Sequence, residues 1–226
     1  AYEIRNCDWS SDVCSSDLLY REGYFNQKID EHGNQVAEYA YLEAGDTPVE
    51  PALDAEGREV IIQCEFPGRV VQAKVWRARV GRIRVLLLDT DLAANDSADR
   101  QITRQLYGGE RERRLQQEII LGIGGVRALR AVGLDPSVWH INEGHAAFLV
   151  LERIRELVVK GLSFAAGLEA VAANTVFTTH TPVQAGHDVF SRDLLLGYFH
   201  GMVKALGISD EVLMRLAGQD GDSGFN

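Results

Sequence analysis

Near Asp91 the spacing of apolar residues changes from two to three or four, and that change restricts the folds open to the chain. Upstream, "EVIIQCEF", "VVQAKVWRARV" and "IRVLLLDTD" are rich in Val, Ile and Leu and are separated by the turn-prone "DAEG", "FPGR" and "RVGR". This pattern predicts an antiparallel strand meander over about 58–91. Val71, Ala73 and Val75 alternate cleanly, but the apolar phase then moves to Ala78 and Val80, so an irregularity is expected around Trp76.

Downstream, Leu115, Ile119, Gly122 or Ile123, Val126 and Leu129 mark an amphipathic helix. "SVWHIN" and "TVFTTH" read as short buried strands. Between them lie a helix from about His145 to Val159 and a second one in "SFAAGLEAVAAN", with Ser163 as its N-cap. The first should turn Ala147, Val150, Leu151, Ile154 and Leu157 inward and Glu152, Arg153, Arg155 and Glu156 outward. Helices over about Arg192–Leu206 and Asp210–Ala217 follow. Strands alternating with helices imply βαβ units and a parallel sheet, hence an α/β fold.

The opening segment stands apart. "NCDWSSDVCSSDL" holds Cys7 and Cys14 between repeats of Ser-Ser-Asp. It could be an exposed loop, but its cysteine spacing fits neither a thiol redox motif nor a common zinc site. "DWSSDVCSSDL" resembles the translation of a common sequencing-library adapter, and "AYEI" fits the adapter's other constant arm. Residues 1–18 are therefore expected to be an adapter-derived artefact and are set aside, as a tag would be. Their four acidic residues against one arginine take the formal charge from −10 to −7.

An acidic balance argues against nucleic acid or an anionic membrane as the main partner. With only Cys64 left there is no disulfide framework, and a cytoplasmic location is expected. No apolar run has the length of a membrane span, and no secretory signal opens the chain. "GQDGDSGFN" looks cut rather than finished, so residues 19–226 are expected to be an incomplete domain.

In open α/β sheets ligands bind beyond the carboxyl ends of the strands. His140, Asn142, Glu143, His145, Thr178, Thr179 and His180 lie there. A plainer reading stands beside this one: Asn142 or Glu143 could merely cap the following helix. His140, Glu143 and His145 do not form H-E-x-x-H on one helical face, so no metal is expected. Asp89 and Asp91 in "LDTD" could be the acidic pair of a metal-dependent glycosyltransferase, or simply turn-capping aspartates. "GIGG" (Gly122–Gly125) sits inside a helical pattern and is better read as close helix packing than as a phosphate loop.

Four blocks together carry a likeness: "LYREGYFNQKID", "RQLYGGERERRLQQEIILGIGGVRALRAVG", "VWHINEGHAAFLVLERIREL" and "TVFTTHTPVQAGHDVF". In order and spacing they resemble the α-glucan (glycogen/maltodextrin) phosphorylase family, in its shorter bacterial and archaeal type. The likeness runs from Leu19 to the last residue. It implies a partial N-terminal Rossmann-like domain of a two-domain GT-B-type enzyme. That enzyme would use inorganic phosphate to release glucose 1-phosphate from an α-1,4-glucan.

By the resemblance, His180 takes the catalytic position, contacting the sugar while its main-chain carbonyl faces the charge that develops at the anomeric centre. Asn142, Glu143, His145 and Thr179 would line the same substrate cleft, with Glu143 standing where animal enzymes carry Asp. Tyr107, Gly108, Gly109 and Glu110 fall at the family's gate loop, which is shorter here than in the animal enzymes. The cofactor, pyridoxal phosphate, would be bound by the missing C-terminal half, so this piece should contain no cofactor-binding residue and be inactive alone. A homo-oligomeric parent is one state left open. Two other readings remain: a nucleotide-sugar-dependent glucosyltransferase of the same fold, akin to glycogen or starch synthases, and a non-catalytic glucan-binding module.

Overall fold

A computed structural model describes residues 13–106, 109–181, 188–218 and 224–225. The strand-rich half contains β1 (Cys14–Leu18), β2 (Asn26–Ile29), β3 (Gln35–Glu38), β4 (Val49–Pro51), β5 (Ile61–Phe66), β6 (Arg69–Val80) and β7 (Ile83–Asp89). β5, β6 and β7 form the expected antiparallel meander, while β2 and β3 make a separate exposed hairpin. β5 and β4 both pair with β6, and β7 takes its other edge and pairs in parallel with β1 on its far side.

No irregularity interrupts β6 at Trp76, because its register with β7 runs unbroken from Lys74↔Asp89 to Val80↔Ile83. The apolar phase moves for another reason. Val71, Ala73 and Val75 are buried on one face, whereas Trp76 belongs to the opposite face, where its Nε1 donates to Asp89 Oδ2 over 3.2 Å.

The helical half begins with one continuous helical run. α1 (Arg111–Ile119) passes through a π-helical turn, Ile120–Gly124, into α2 (Gly125–Ala131). A π turn is a common mark of a locally constrained helix. Here the constraint is visible: a Cβ on Gly122 would lie 2.9 Å from Leu149 N, and one on Gly124 would lie 3.0 Å from Ile62 Cδ1. "GIGG" is thus where the helix presses between the sheet and its neighbouring helix.

After β8 (Trp139–Asn142) and a short 3-10 turn (Gly144–Ala146) come α3 (Leu149–Val159), α4 (Phe164–Ala172) and β9 (Thr175–Thr178), which pairs in parallel with β8. This is the expected βαβ unit. α5 (Arg192–Leu206) and α6 (Asp210–Arg215) complete the helices. Ser163 Oγ accepts the Ala166 amide hydrogen as the cap of α4. Among the described residues no helix is long and apolar enough to cross a membrane.

Three further expectations are overturned. Ala147 does not face inward but is exposed, because it closes the 3-10 turn ahead of α3 and lies outside that helix. β9 is not buried: Val176 and Phe177 are about half exposed, because among the described strands β9 pairs with β8 alone. Nor do Glu152 and Arg153 face solvent. Glu152 is 1% exposed, held by Arg127 and Arg155, and Arg153 lies over the Trp139 ring while donating to Thr175 Oγ1 and Asn174 Oδ1. Arg127 also donates to Gln63 O and Glu65, so one guanidinium ties β5 to α3.

Candidate functional site

The parallel pairing of β8 and β9 brings the strand ends Asn142 and Thr178 side by side. The chain then turns sharply. Glu143 has φ 60° and ψ −177°, and it is the one non-glycine residue with positive φ among those described. Such a conformation is costly for a side-chain-bearing residue and persists only where its surroundings fix it.

The fixing contacts are explicit. Glu143 N donates to Thr178 O over 2.8 Å, and its carboxylate accepts from the His180 amide over 2.5 Å. The same carboxylate accepts from the hydroxyls of Thr179 and Thr181, each over 3.2 Å. Helix capping is therefore not its task, for it makes no side-chain cap bond to the turn that follows. The hydrogen bond from the His180 backbone, followed by those from Thr179 and Thr181, holds the Glu143 carboxyl below its ordinary range. It remains an acceptor at neutral pH.

His180 is held twice, through its amide on Glu143 and through its ring, whose Nε2 lies 3.0 Å from Asn142 Oδ1. Four expected residues, Asn142, Glu143, Thr179 and His180, thus form one hydrogen-bonded group. His140 stands apart from it, with its Nε2 2.7 Å from Thr178 Oγ1.

His145 belongs to a second group. Its Nδ1 lies 3.1 Å from Arg114 Nη2, 3.8 Å from Glu118 Oε1 and 4.0 Å from Asp188 Oδ2. Arg114 Nη2 also donates to Asp188 Oδ2 over 2.8 Å. Sequence reasoning missed Arg114, Glu118 and Asp188. The signal for the first two was available, since a spacing of four puts them on one face of α1. Of the gate-loop residues, Tyr107 and Gly108 lie outside the described residues. Gly109 has φ +94° beside the Arg113 side chain, and Glu110 precedes α1 with extended backbone.

The donor atoms of Glu118, His145 and Asp188 lie within 4.8 Å of one another, the spacing of a metal site. Arg114 is bonded in their midst and supplies the positive charge that a cation would bring. The "LDTD" aspartates are likewise engaged: Asp89 accepts from Arg21 and Trp76, and Asp91 from Arg100. None of the four lysines, Lys28, Lys74, Lys160 and Lys204, belongs to β8, β9 or the turns that follow their carboxyl ends. These residues do not fit covalent attachment of pyridoxal phosphate at the strand ends. A cavity of about 650 Å³ opens elsewhere, against Phe66, Ile123, Arg127, Tyr198 and Met202, and no site residue lines it.

An α/β unit with polar groups gathered beyond two parallel strands is a common frame for ligand binding. Comparison with known proteins specifies it further. The chain is 44% identical over 173 residues to a maltodextrin phosphorylase of Thermococcus litoralis, covering 76% of this chain and 21% of that protein. It is 41% identical over 222 residues to a glycogen phosphorylase of Mycobacterium tuberculosis, covering 92% of this chain and 26% of that one. A glycogen phosphorylase of Aquifex aeolicus is 31% identical over 211 residues, covering 92% of this chain and 30% of its own length. No protein-family model matches the chain. The chain belongs to the glycogen and maltodextrin phosphorylase family, and it spans between a fifth and a third of the length of these relatives.

Proposed function

We propose that this chain is part of the sugar-binding half of an α-1,4-glucan phosphorylase. The parent would have a GT-B architecture, with a Rossmann-like first domain that contains residues 19–226. It would use inorganic phosphate to release glucose 1-phosphate from glycogen, starch or maltodextrin. The observation that carries this reading is the 41% identity to a glycogen phosphorylase across 92% of the chain.

Under this reading His180 is the catalytic-position residue. Bonds to Glu143 and Asn142 anchor its peptide and its ring, which is how a carbonyl dipole is set before positive charge develops at an anomeric carbon. Asn142, Glu143, His145 and Thr179 line the substrate cleft, and Gly109 and Glu110 follow its gate. Pyridoxal phosphate would be held by parts of the protein outside this sequence, and a cytoplasmic location goes with the reading.

Residues 1–18 are proposed to be adapter-derived. Resequencing the locus outward from the "WHINEGHAAF" codons tests this origin: replacement of "CDWSSDVCSSDL" by another sequence is expected, and its persistence would refute it.

The activity test uses the full reading frame recovered from that locus. Glucose 1-phosphate should appear from maltodextrin only when phosphate is supplied, and His180→Ala should lower kcat. Glucosyl transfer that needs a sugar nucleotide would replace this reading with a synthase. Glucan binding without turnover would favour a non-catalytic module.

A further inference from the structure

The hairpin of β6 and β7 ends in a cluster of like charge. Its register runs to Val80↔Ile83, which leaves Gly81 and Arg82 as a two-residue turn. Gly81 has φ +62°, the left-handed conformation that such a turn needs at its first position. The turn therefore fixes the pairing, and the pairing sets Arg79 directly opposite Arg84. Side chains at opposed positions leave the same face of a sheet with their Cβ atoms about 4.5–5.5 Å apart. Two guanidiniums placed in this way repel, and like charges directly opposite weaken a sheet.

The neighbouring groups offset little of that repulsion. Arg77, two residues along the same face, donates to Glu50 Oε1 on β4 through Nε at 3.1 Å and Nη2 at 2.8 Å. Among the described residues neither Arg79 nor Arg84 has a carboxylate partner. On β1 the residue paired with Arg84 is Cys14; burial pushes its thiol up, the Arg84 charge draws it back, and burial wins, so the thiol stays uncharged. Three guanidiniums thus share the hairpin end of this face with one carboxylate, an excess of two positive charges in a chain whose formal charge is −10.

Protection of a sheet edge does not account for the pair. Charged residues commonly blunt edges, but the strand order here is β1-β7-β6-β4, so both strands that carry the pair are interior. Arg79 is exposed and Arg84 half-buried, which leaves the pair open to a small solute.

We propose that Arg79 and Arg84 form a binding site for a single phosphate group, inorganic or carried as a monoester. Near pH 7 such a group has a charge of about −1.5 to −2, which matches the excess. A guanidinium fork pairs with two phosphate oxygens at once, and a tetrahedral anion has oxygens enough for two forks. A carboxylate has only two oxygens, which one fork takes up. Nucleic acid fits less well, because its further phosphates would meet an acidic chain. The site shares no residue with the group around His180, and it does not depend on the phosphorylase reading.

The test is a titration of the chain itself, labelled with ¹⁵N in its arginines, at pH 7. The titrants are inorganic phosphate and glucose 1-phosphate, with acetate and chloride at matched ionic strength. The Nε–H signals of Arg79 and Arg84, assigned through their bonds to the backbone, should shift saturably with both phosphates. Arg79→Gln or Arg84→Gln should each weaken binding about tenfold or more, the loss of about one charge-assisted hydrogen bond. Relief of repulsion gives a second readout. In chloride, Arg79→Gln should unfold at a higher urea concentration than wild type, whereas added phosphate should raise the wild-type midpoint more than the variant's. Equal or tighter binding of inorganic phosphate assigns the site to the free ion, and tighter binding of the ester assigns it to a sugar phosphate. Shifts that acetate reproduces, or that only drift linearly as they do in chloride, would overturn the proposal. The wild-type titration decides this even where a variant fails to fold.

Discussion

Gly122 offers a substitution whose sign can be worked out in advance. Alanine is ordinarily the better helix former by about 1 kcal/mol. At Gly197, inside α5, no atom lies within 4 Å of the added methyl, so Gly197→Ala should stabilise by about that amount. At Gly122 the methyl would meet Leu149 N at 2.9 Å, Phe148 Cβ at 3.0 Å and Phe148 C at 3.1 Å. Two of these are backbone atoms, which cannot swing aside, so α3 or the π turn must move by several tenths of an ångström. Overpacking of this kind costs about 1–3 kcal/mol, and the upper part of that range applies against backbone. After the propensity gain, Gly122→Ala should be destabilised by about 1–2 kcal/mol, with the sign opposite to Gly197→Ala. Urea unfolding of the wild type and both variants at constant m measures this directly. If Gly122→Ala proves as stable as wild type or more so, the close approach is not a packing constraint and the explanation of the π turn fails.

Other outcomes follow from the same contacts. Glu152→Ala strands Arg127 and Arg155 beside each other and should lose about 3–5 kcal/mol, read from the same unfolding curves. Burial works against the Glu152 charge, but bonds from Arg155 and Arg127 win and hold its carboxyl low; its contribution is therefore present above the ordinary carboxylate range and lost as pH falls through it. Glu143→Ala should speed hydrogen exchange at the His180 amide, and in the wild type protection should persist until the pH drops below that range, because this carboxyl is also held low. Cys64 is fully buried and burial pushes its thiol up to about 12, so in a Cys7→Ser, Cys14→Ser background it should react with a disulfide reagent only after unfolding.

Local chemistry was legible in the sequence wherever one segment settled it. Ser163 caps its helix because the cap needs only an amide three residues on, and the meander follows from its turns and alternation. The strand-end group was legible because parallel strands and their polar termini appear in the sequence together. What failed depended on distant partners. Glu152 and Arg153 have the composition of a solvated helix face, and only Arg127, Trp139 and Asn174 from other elements bury them. Arg114 and Glu118 sit in "RERRLQQE", where every charged residue looks alike until His145 and Asp188 arrive from 31 and 74 residues away from Arg114. The strain at Glu143 was invisible for a related reason: nothing in a sequence marks a non-glycine residue with positive φ.

β1 carries a consequence of another kind. Its five residues join β7 in register from Cys14↔Arg84 to Leu18↔Leu88, yet only the Leu18 side chain is buried. Main-chain amides and carbonyls are common to nearly every residue, so membership of this edge is open to many short sequences with small inward groups and one terminal leucine. A foreign segment spliced before Leu19 could therefore be recruited as a strand without sharing ancestry with the chain that received it. Belonging to a fold and belonging to a gene are separate facts, and at this edge they can come apart.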